Sequence, residues 1–269
     1  MPNGRVSAAF AALLLALCGS VSAQRPPVAA RVLVFNIHAG KDASSRANLE
    51  DIAALIRSTA ADIVLLQEVD RGTKRSGNVD QLRILGDLTG YSTAFGRSLD
   101  YDGGQYGIAA LSREPISHEA TEPLPIQPPQ ARAGGSYEPR AALSFATSTG
   151  LGAINAINTH LDSSKGEDYR LQESAHIVSM TKRFAEQRLI AGGDFNAEPS
   201  SATYAQVIAA GLKDAWKECG AGDGLTYPAD KPVKRIDYLF LAAGLRCTRA
   251  EVIDTRVSDH RPLLVSLAR

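Results

Sequence analysis

The sequence has no excess of charge of either sign, and it contains few cysteines. Its 269 residues include 29 basic and 29 acidic side chains, so the formal net charge at pH 7 is zero. Proteins that hold long polyanions without sequence preference usually carry a basic excess or stripe. None is visible here, which mildly disfavours that class. The three cysteines and five histidines do not show the spacing of a zinc site, so zinc-binding modules are disfavoured as well.

The sequence also lacks an apolar run of the length that crosses a bilayer. The N-terminal apolar run from Val6 to Leu17 follows Arg5 and precedes the small residues Val21-Ser22-Ala23. This order predicts a secretory signal peptide over residues 1–23, with a mature domain over residues 24–269 that is exported to the periplasm or secreted. A lipoprotein processed at Cys18 is the other interpretation, and the large residue before that cysteine disfavours it.

Two cysteines, Cys219 and Cys247, would remain after cleavage. An even number of cysteines in an oxidising compartment favours a disulfide. Two free buried thiols are the alternative, because the spacing alone does not establish the geometry of a bridge.

No internal repeat or low-complexity stretch divides the chain, and its length suits one large domain. Apolar residues recur with a helical period over residues 48–58, 81–88 and about 169–185, whereas shorter apolar runs predict strands. Strands outnumber helices, several follow one another directly, and several are uniformly apolar. This pattern favours two stacked sheets with helices outside. Residues 70–80 and 123–139 are predicted to be loops, either functional rims or solvated connectors.

The most informative motif is Gly193-Asp194-Phe195-Asn196, which follows the apolar run Leu189-Ile190-Ala191. In an extended chain, Asp194 and Asn196 point to the same face. The carboxylate can hold and activate a water, and the amide can hold a phosphoryl or carbonyl oxygen. A turn that only satisfies its own backbone is the ordinary alternative.

Five further strand termini carry polar groups that can bind metals or transfer protons, whereas surface turns use Gly, Ser and Lys as often. We therefore expect these termini to converge on one site. They are Asn36, Gln67-Glu68, His160, Asp237 and Asp259-His260.

In their order along the chain, these motifs resemble those of the endonuclease/exonuclease/phosphatase superfamily of metal-dependent phosphoesterases. The resemblance extends from Arg31 to Leu267 and implies a four-layer α/β/β/α sandwich of two packed mixed sheets, with the site at one edge of the sheets. The matching segments are Asn36, Gln67-Glu68, Asn158-Thr159-His160-Leu161, Gly193-Asp194-Phe195-Asn196, Arg235-Ile236-Asp237-Tyr238 and Ser258-Asp259-His260.

The resemblance also implies roles for individual residues. The implied catalytic residues are His160, Asp194, Asn196, Asp237, His260 and Arg140. The implied metal ligands are Glu68, Asp259 and Asn36, with Asn36 either on the metal or on the phosphate. Carboxylate and amide oxygens are hard ligands that suit Mg²⁺ or Mn²⁺.

His38 is a departure from the apurinic endonucleases of this superfamily, which carry an acidic metal ligand at that place. Neutral imidazole is a poorer Mg²⁺ ligand than a carboxylate. The departure favours a single metal ion, with His38 behind the ligands or against the substrate.

The sequence thus predicts an exported, Mg²⁺-dependent phosphoester hydrolase, with a phosphodiesterase favoured over a monoesterase. The substrate is either nucleic acid or a phospholipid or inositol phosphate head group, and we expect a monomer without a stable protein partner. A non-catalytic binding module on the same scaffold is the competing class. It predicts the loss of at least one catalytic side chain, yet all of them are present.

Overall fold

Two six-stranded β-sheets face each other in the computed structural model, which describes residues 1, 29–128, 138–242 and 244–269. The first sheet has the order β11-β12-β1-β2-β4-β3, and the second has the order β5-β6-β7-β8-β10-β9. The strands of the first sheet are β1 (Ala30–Asn36), β2 (Ile63–Arg71), β3 (Ser92–Tyr101), β4 (Gly104–Ser112), β11 (Arg246–Val252) and β12 (Leu263–Ala268). Those of the second are β5 (Ser117–Leu124), β6 (Arg140–Thr149), β7 (Gly152–His160), β8 (Leu189–Asp194), β9 (Lys213–Asp214) and β10 (Asp237–Leu241).

Both sheets are mixed. β1 pairs in parallel with β2, and β7 pairs in parallel with β8, while the remaining pairings are antiparallel. Each parallel pair places two carboxyl ends at the same edge of its sheet.

Helices α1 (Leu49–Thr59) and α2 (Gln81–Thr89) cover the outer face of the first sheet, and α3 (Asp168–Thr181) and α4 (Ala202–Ala209) cover that of the second. The short α5 (Ala215–Cys219) instead packs Ala215 and Trp216 into the core between the sheets. Along β1, Val32 and Val34 point into the core between the sheets, whereas Leu33 and Phe35 point outward to α1 and α2. This alternation follows from the two-residue period of a strand. A third apolar cluster packs α3 and α4 on the second sheet. The predicted four-layer sandwich is confirmed.

The segment predicted as a loop over residues 70–80 is largely ordered by one buried carboxylate. Asp70 is fully buried and accepts hydrogen bonds from Nε and Nη2 of Arg75 at 2.7 and 2.8 Å. The guanidinium of Arg75 also lies over the rings of Tyr101 and Tyr106. These contacts hold the start of the segment in place, while several of its other residues stay exposed.

A disulfide joins Cys219 to Cys247, with 5.7 Å between their Cα atoms. Cys219 ends helix α5, and Cys247 lies in the edge strand β11. The bridge therefore links the chain that follows β9 of the second sheet to the edge of the first.

Two other predictions concern residues outside the described ranges. The proposed signal peptide lies there apart from Met1, as do residues 129–137 of the second predicted loop. Within the described ranges, no helix has the length and apolar character that a bilayer span requires.

Candidate active site

All nine predicted site residues come together at one edge of the paired sheets. The carboxyl ends of β1, β2, β7 and β8 meet there with the start of β10. Seven of the nine line a cavity of about 670 Å³: Glu68, Arg140, His160, Asp194, Asn196, Asp259 and His260. The other two, Asn36 and Asp237, are buried and reach the cavity residues through hydrogen bonds.

Glu68 lies in a β-bulge of strand β2. The pairing of β2 with β4 shifts register between Leu66 and Val69, and Glu68 has a backbone φ of +57°. A left-handed conformation is uncommon for a non-glycine residue, and such strain tends to occur at functional sites. The bulge lets two consecutive residues serve the site region: Gln67 donates to Asn158 Oδ1 at 2.7 Å, while Glu68 lines the cavity.

Asn36 connects the carboxylates of the two sheets. Its Nδ2 donates to Oε1 of Glu68 and to Oδ2 of Asp194, both at 3.1 Å. Its Oδ1 accepts a hydrogen bond from the backbone N–H of His38 at 3.0 Å. Both ends of the amide are therefore engaged, and Asn36 orients Glu68 and Asp194 in this arrangement.

Asp194 is the central carboxylate of the site. Its Oδ1 accepts from the backbone N–H of Asn196 at 2.9 Å. Its Oδ2 lies 3.5 Å from Nε2 of His160 and 3.7 Å from Nε2 of His260. Burial and the nearby carboxylate of Asp237 raise the pKa of Asp194 to about 7. The group is therefore poised to exchange a proton near neutral pH.

His260 is held by Asp237, whose Oδ2 lies 2.9 Å from its Nδ1. Burial disfavours the charged imidazolium, but attraction to Asp237 and Asp194 outweighs it and raises the pKa of His260 to about 10. His260 is thus a cation at neutral pH with an N–H on each ring nitrogen. The ring of Tyr227 lies beside it, at 4.7 Å between centroids.

His160 has the opposite protonation state. Burial and the positive charges of Arg140 and His260 hold the pKa of His160 well below its usual range. Nη1 of Arg140 lies 3.0 Å from Nδ1 of His160, and a guanidinium can only donate. Nδ1 is therefore the acceptor, and the proton of the neutral ring is on Nε2. Arg140 itself is paired with Glu138 at 3.0 Å.

Asn196 follows β8 in a left-handed conformation, with a φ of +47°. Its Nδ2 donates to the backbone oxygen of Leu161 at 3.0 Å and lies 3.1 Å from Nε2 of His160. Both nitrogens are donors in this tautomer, so no hydrogen bond joins them. Both groups belong to the cavity wall.

Asp259 lies at the more exposed margin of the site, with 31% of its side chain accessible. Its Oδ1 accepts from the hydroxyl of Ser258 at 3.2 Å and lies 3.8 Å from Nδ1 of His38. His38 thus stands beside Asp259 at this margin.

One group of three acidic and histidine residues has donor atoms within 4.8 Å of one another: Asp194, Asp237 and His260. These are not the residues that the resemblance implied as metal ligands. A protonated imidazole cannot bind a metal, and His260 is bonded to Asp237, so this cluster suits proton transfer. The carboxylates of Glu68 and Asp259, both on the cavity wall, offer the hard oxygens that Mg²⁺ or Mn²⁺ prefers.

Sequence reasoning missed two buried charged residues of helix α3, Arg170 and Glu173. Arg170 lines the cavity, and Glu173 accepts from the backbone N–H of Asp162 at 2.8 Å. The available signal was a charged pair one turn apart on the helix face that also carries the apolar residues Tyr169 and Ile177.

Comparison with known proteins identifies a relative in sequence and several similar folds. The uncharacterized protein YbhP of Escherichia coli K12 is 27% identical over 245 residues, which cover 87% of this chain and 94% of YbhP. An endonuclease/exonuclease/phosphatase family protein from Leptotrichia buccalis superposes with a TM-score of 0.74 at 22% identity, over 89% of this chain and 100% of that chain. The mannosyl-6-phosphatase Bt3783 of Bacteroides thetaiotaomicron has a TM-score of 0.73 at 19% identity, with the same coverage.

These structural likenesses show the fold, and the sequence itself shows the family. Residues 33–260, from β1 to the histidine of the Asp237–His260 pair, match one family description over most of the chain. The chain belongs to the Endonuclease/Exonuclease/phosphatase family.

Proposed function

We propose that this protein is a divalent-metal-dependent phosphoester hydrolase in which Asp194 activates the attacking water. Members of the family are in general hydrolases of phosphoesters. The observation that carries the proposal is the position of Asp194 between two imidazoles of opposite charge state, neutral His160 and cationic His260. A carboxylate that can take a proton thus stands beside groups that can hold a phosphoryl oxygen.

Glu68 and Asp259 would hold the cation, either Mg²⁺ or Mn²⁺. When bound, the cation neutralises phosphoryl charge and polarises the oxygens. Asn36 keeps the carboxylates of Glu68 and Asp194 in place through its Nδ2. Oδ1 of Asn36 accepts one hydrogen bond, from the N–H of His38, so its second lone pair could also contribute to the cation.

The remaining side chains divide the proton transfer and the stabilisation of charge. Asp194 accepts the proton of the attacking water, and its pKa of about 7 suits this role. His260, kept charged by Asp237, donates to a non-bridging oxygen of the phosphoryl group.

On the other side of the phosphoryl group, His160 presents its Nε2–H, and Asn196 adds an amide N–H. Arg140 supports His160 from behind, because its guanidinium donates to Nδ1 and so keeps the proton on Nε2. These donors stabilise the charge that develops on the leaving oxygen.

A phosphodiester is the favoured substrate, either in nucleic acid or in a phospholipid or inositol phosphate head group. The head group has the better support. Sequence-tolerant binding of single strands uses several aromatic rings for stacking, whereas Tyr227 is the one aromatic residue on the described wall of this cavity. The chain also has no excess of basic residues, which proteins that bind long nucleic acids usually carry, so its charge favours the head group as well.

Export belongs to the proposal as well. A disulfide persists in oxidising compartments, and the bridge between Cys219 and Cys247 supports an extracytoplasmic location. A monomeric state without a stable protein partner stays a prediction.

The test is an activity screen of purified residues 24–269 on bis(p-nitrophenyl) phosphate, plasmid DNA, single-stranded DNA, sphingomyelin and inositol phosphates. Each substrate is assayed with Mg²⁺, with Mn²⁺ and with excess chelator. We expect hydrolysis of at least one phosphoester that chelator abolishes and that Asp194→Asn lowers strongly. Absence of hydrolysis across the panel, or activity that chelator leaves intact, would refute the proposal.

A further inference from the structure

Among the described residues, three arginines are buried: Arg140, Arg170 and Arg235. Two of them form close ion pairs, Arg140 with Glu138 at 3.0 Å and Arg235 with Asp214 at 2.7 Å. Arg170, only 6% exposed, forms no ion pair with any carboxylate of the described residues. The residues outside the described ranges contain no Asp or Glu that could supply one. Arg170 is thus a buried cation without a paired anion.

The hydrogen bonds of Arg170 use one side of its guanidinium. Nη1 donates to the backbone oxygens of Asp162 and Ser164, at 3.0 and 2.6 Å. Nε is buried without an acceptor, and Nη2 makes no hydrogen bond to the described part of the chain. In Arg75, the same two groups, Nε and Nη2, grip the carboxylate of Asp70. In Arg170, Nε is too deeply buried to meet a ligand, so Nη2 remains as the charged donor that a phosphate oxygen could reach.

The buried carboxyl group of Glu173 does not compensate this charge. Glu173 lies one turn further along α3, and burial raises the pKa of its carboxyl to about 8 even though the nearby Arg140 and Arg170 favour ionisation. Glu173 is therefore mostly neutral at pH 7. A buried charge without a partner is unfavourable, and an anion bound at Nη2 of Arg170 would relieve that cost.

Arg170 lies on the wall of the same cavity as the catalytic groups. Its neighbours along the chain include the exposed Lys165 on that wall. The wall is also rich in hydroxyl groups, which suit hydrogen bonds to a polyol. The serines that contribute to it are Ser163, Ser164, Ser200 and Ser201.

We propose that Arg170 and Lys165 form a second anion subsite, which binds a phosphate on the leaving-group part of a polyol substrate while the scissile phosphate lies at Asp194 and His260. This inference rests on the proposed function and adds to it. The substrate then carries two phosphates: one is attacked, and the other is held by Nη2 of Arg170 and the ammonium group of Lys165. Recognition of the second phosphate selects the substrate before the chemical step.

The experiment measures binding rather than turnover, by calorimetry in the Asp194→Asn background with and without Mg²⁺. The probes are glucose 1,6-bisphosphate and glucose 6-phosphate, which differ by one phosphate. We expect the bisphosphate to bind at least about tenfold more tightly, as charge-assisted hydrogen bonds to the added phosphate imply. Addition of Arg170→Gln should reduce this preference below about threefold. Lys182→Gln, a matched change at an exposed lysine outside the cavity wall, should leave it unchanged.

Equal affinity for the two sugars in the parent background would overturn the subsite. The subsite would also be overturned if Arg170→Gln lowered the affinity for both sugars by the same factor, because Arg170 would then only hold the backbone of residues 162–164. If Arg170→Gln does not fold, as judged by circular dichroism, Lys165→Gln takes its place. A reduced preference for the bisphosphate supports the proposal, and an unchanged one contradicts it.

A short single-stranded DNA tests whether the second phosphate belongs instead to a nucleic acid. If it binds more tightly than the bisphosphate and depends on Arg170, the polyol assignment is wrong. Calorimetry needs no turnover, so the two proposals can fail separately. A protein that hydrolyses nothing refutes the proposed function, whereas the ratio of the affinities for the bisphosphate and the monophosphate still tests the subsite.

Discussion

Nδ1 of His260 lies 2.9 Å from Oδ2 of Asp237, although the two residues come from different sheets. Asp237 begins β10 in the second sheet, directly opposite Asp194 in the ladder. His260 precedes β12 of the first sheet. The pair therefore forms only when the two sheets pack in the observed arrangement. The charge of His260 thus depends on the packing of the sheets.

This pair should act as one unit. We expect Asp237→Ala and His260→Ala each to lower kcat by roughly 10²- to 10⁴-fold, the range for a lost proton-transfer group. The double variant should lose little more than either single variant, because the second change removes a group that no longer functions. Steady-state kinetics of the four proteins gives the coupling. Losses that multiply would show that the residues act independently.

Asp194→Asn should lower kcat by roughly 10²- to 10⁴-fold, because the amide cannot take the proton of water. The thermal midpoint should stay close to that of the parent, since a neutral group replaces a buried carboxylate whose pKa is already raised. The matched control is Asp223→Asn at an exposed position. Parallel losses of stability and activity in Asp194→Asn would instead mark Asp194 as a structural residue.

Glu68→Gln should weaken the response to the metal as well as the activity. Removal of one carboxylate ligand lowers the affinity for a hard cation, so we expect the Mg²⁺ concentration for half-maximal activity to rise. A metal titration of initial rates measures this, with the exposed Glu119→Gln as control. An unchanged titration curve would exclude Glu68 as a ligand.

The disulfide between Cys219 and Cys247 should contribute roughly 3.5 kcal/mol to the free energy of unfolding, as the chain-entropy treatment gives for a loop of this length. The two residues are 28 positions apart. Urea unfolding of the parent and of the Cys219→Ser, Cys247→Ser double variant measures the difference. Thiol titration of the denatured, unreduced parent should find no free thiol in residues 24–269, and two free thiols would contradict the bridge.

Glu173 should make the protein less stable as the pH rises. Its pKa is about 8 in the folded protein against an ordinary value of 4.5. Between these values the folded state holds a proton that the unfolded state has lost, so the free energy of unfolding falls with increasing pH. Glu173→Gln removes this contribution to the pH dependence of the free energy of unfolding. We expect the stability of the variant relative to the parent to increase from pH 5 to pH 8 in urea unfolding, and a constant difference would contradict the raised pKa.

Much of the architecture could be predicted from local pattern. The apolar period over residues 48–58 predicts a helix, and α1 spans Leu49–Thr59. The helix predicted to reach about Ala185 ends at Thr181, and a 3₁₀ turn over Lys182–Phe184 continues it. Such patterns are readable because neighbouring residues along the chain decide which face is buried. Residues 70–80 were harder, because the burial of Asp70 depends on Arg75 folding back over two tyrosines.

The sequence by itself determined which chemical groups stand at the strand ends, and in which order, and this was enough to identify the family. The tertiary structure alone decided their charge states. His160 and His260 are the same residue type, yet one is neutral beside Arg140 and the other is charged beside Asp237. The physical reason is that a pKa depends on burial and on charges within a few ångströms, and those charges come from segments that only the folding of the chain brings together.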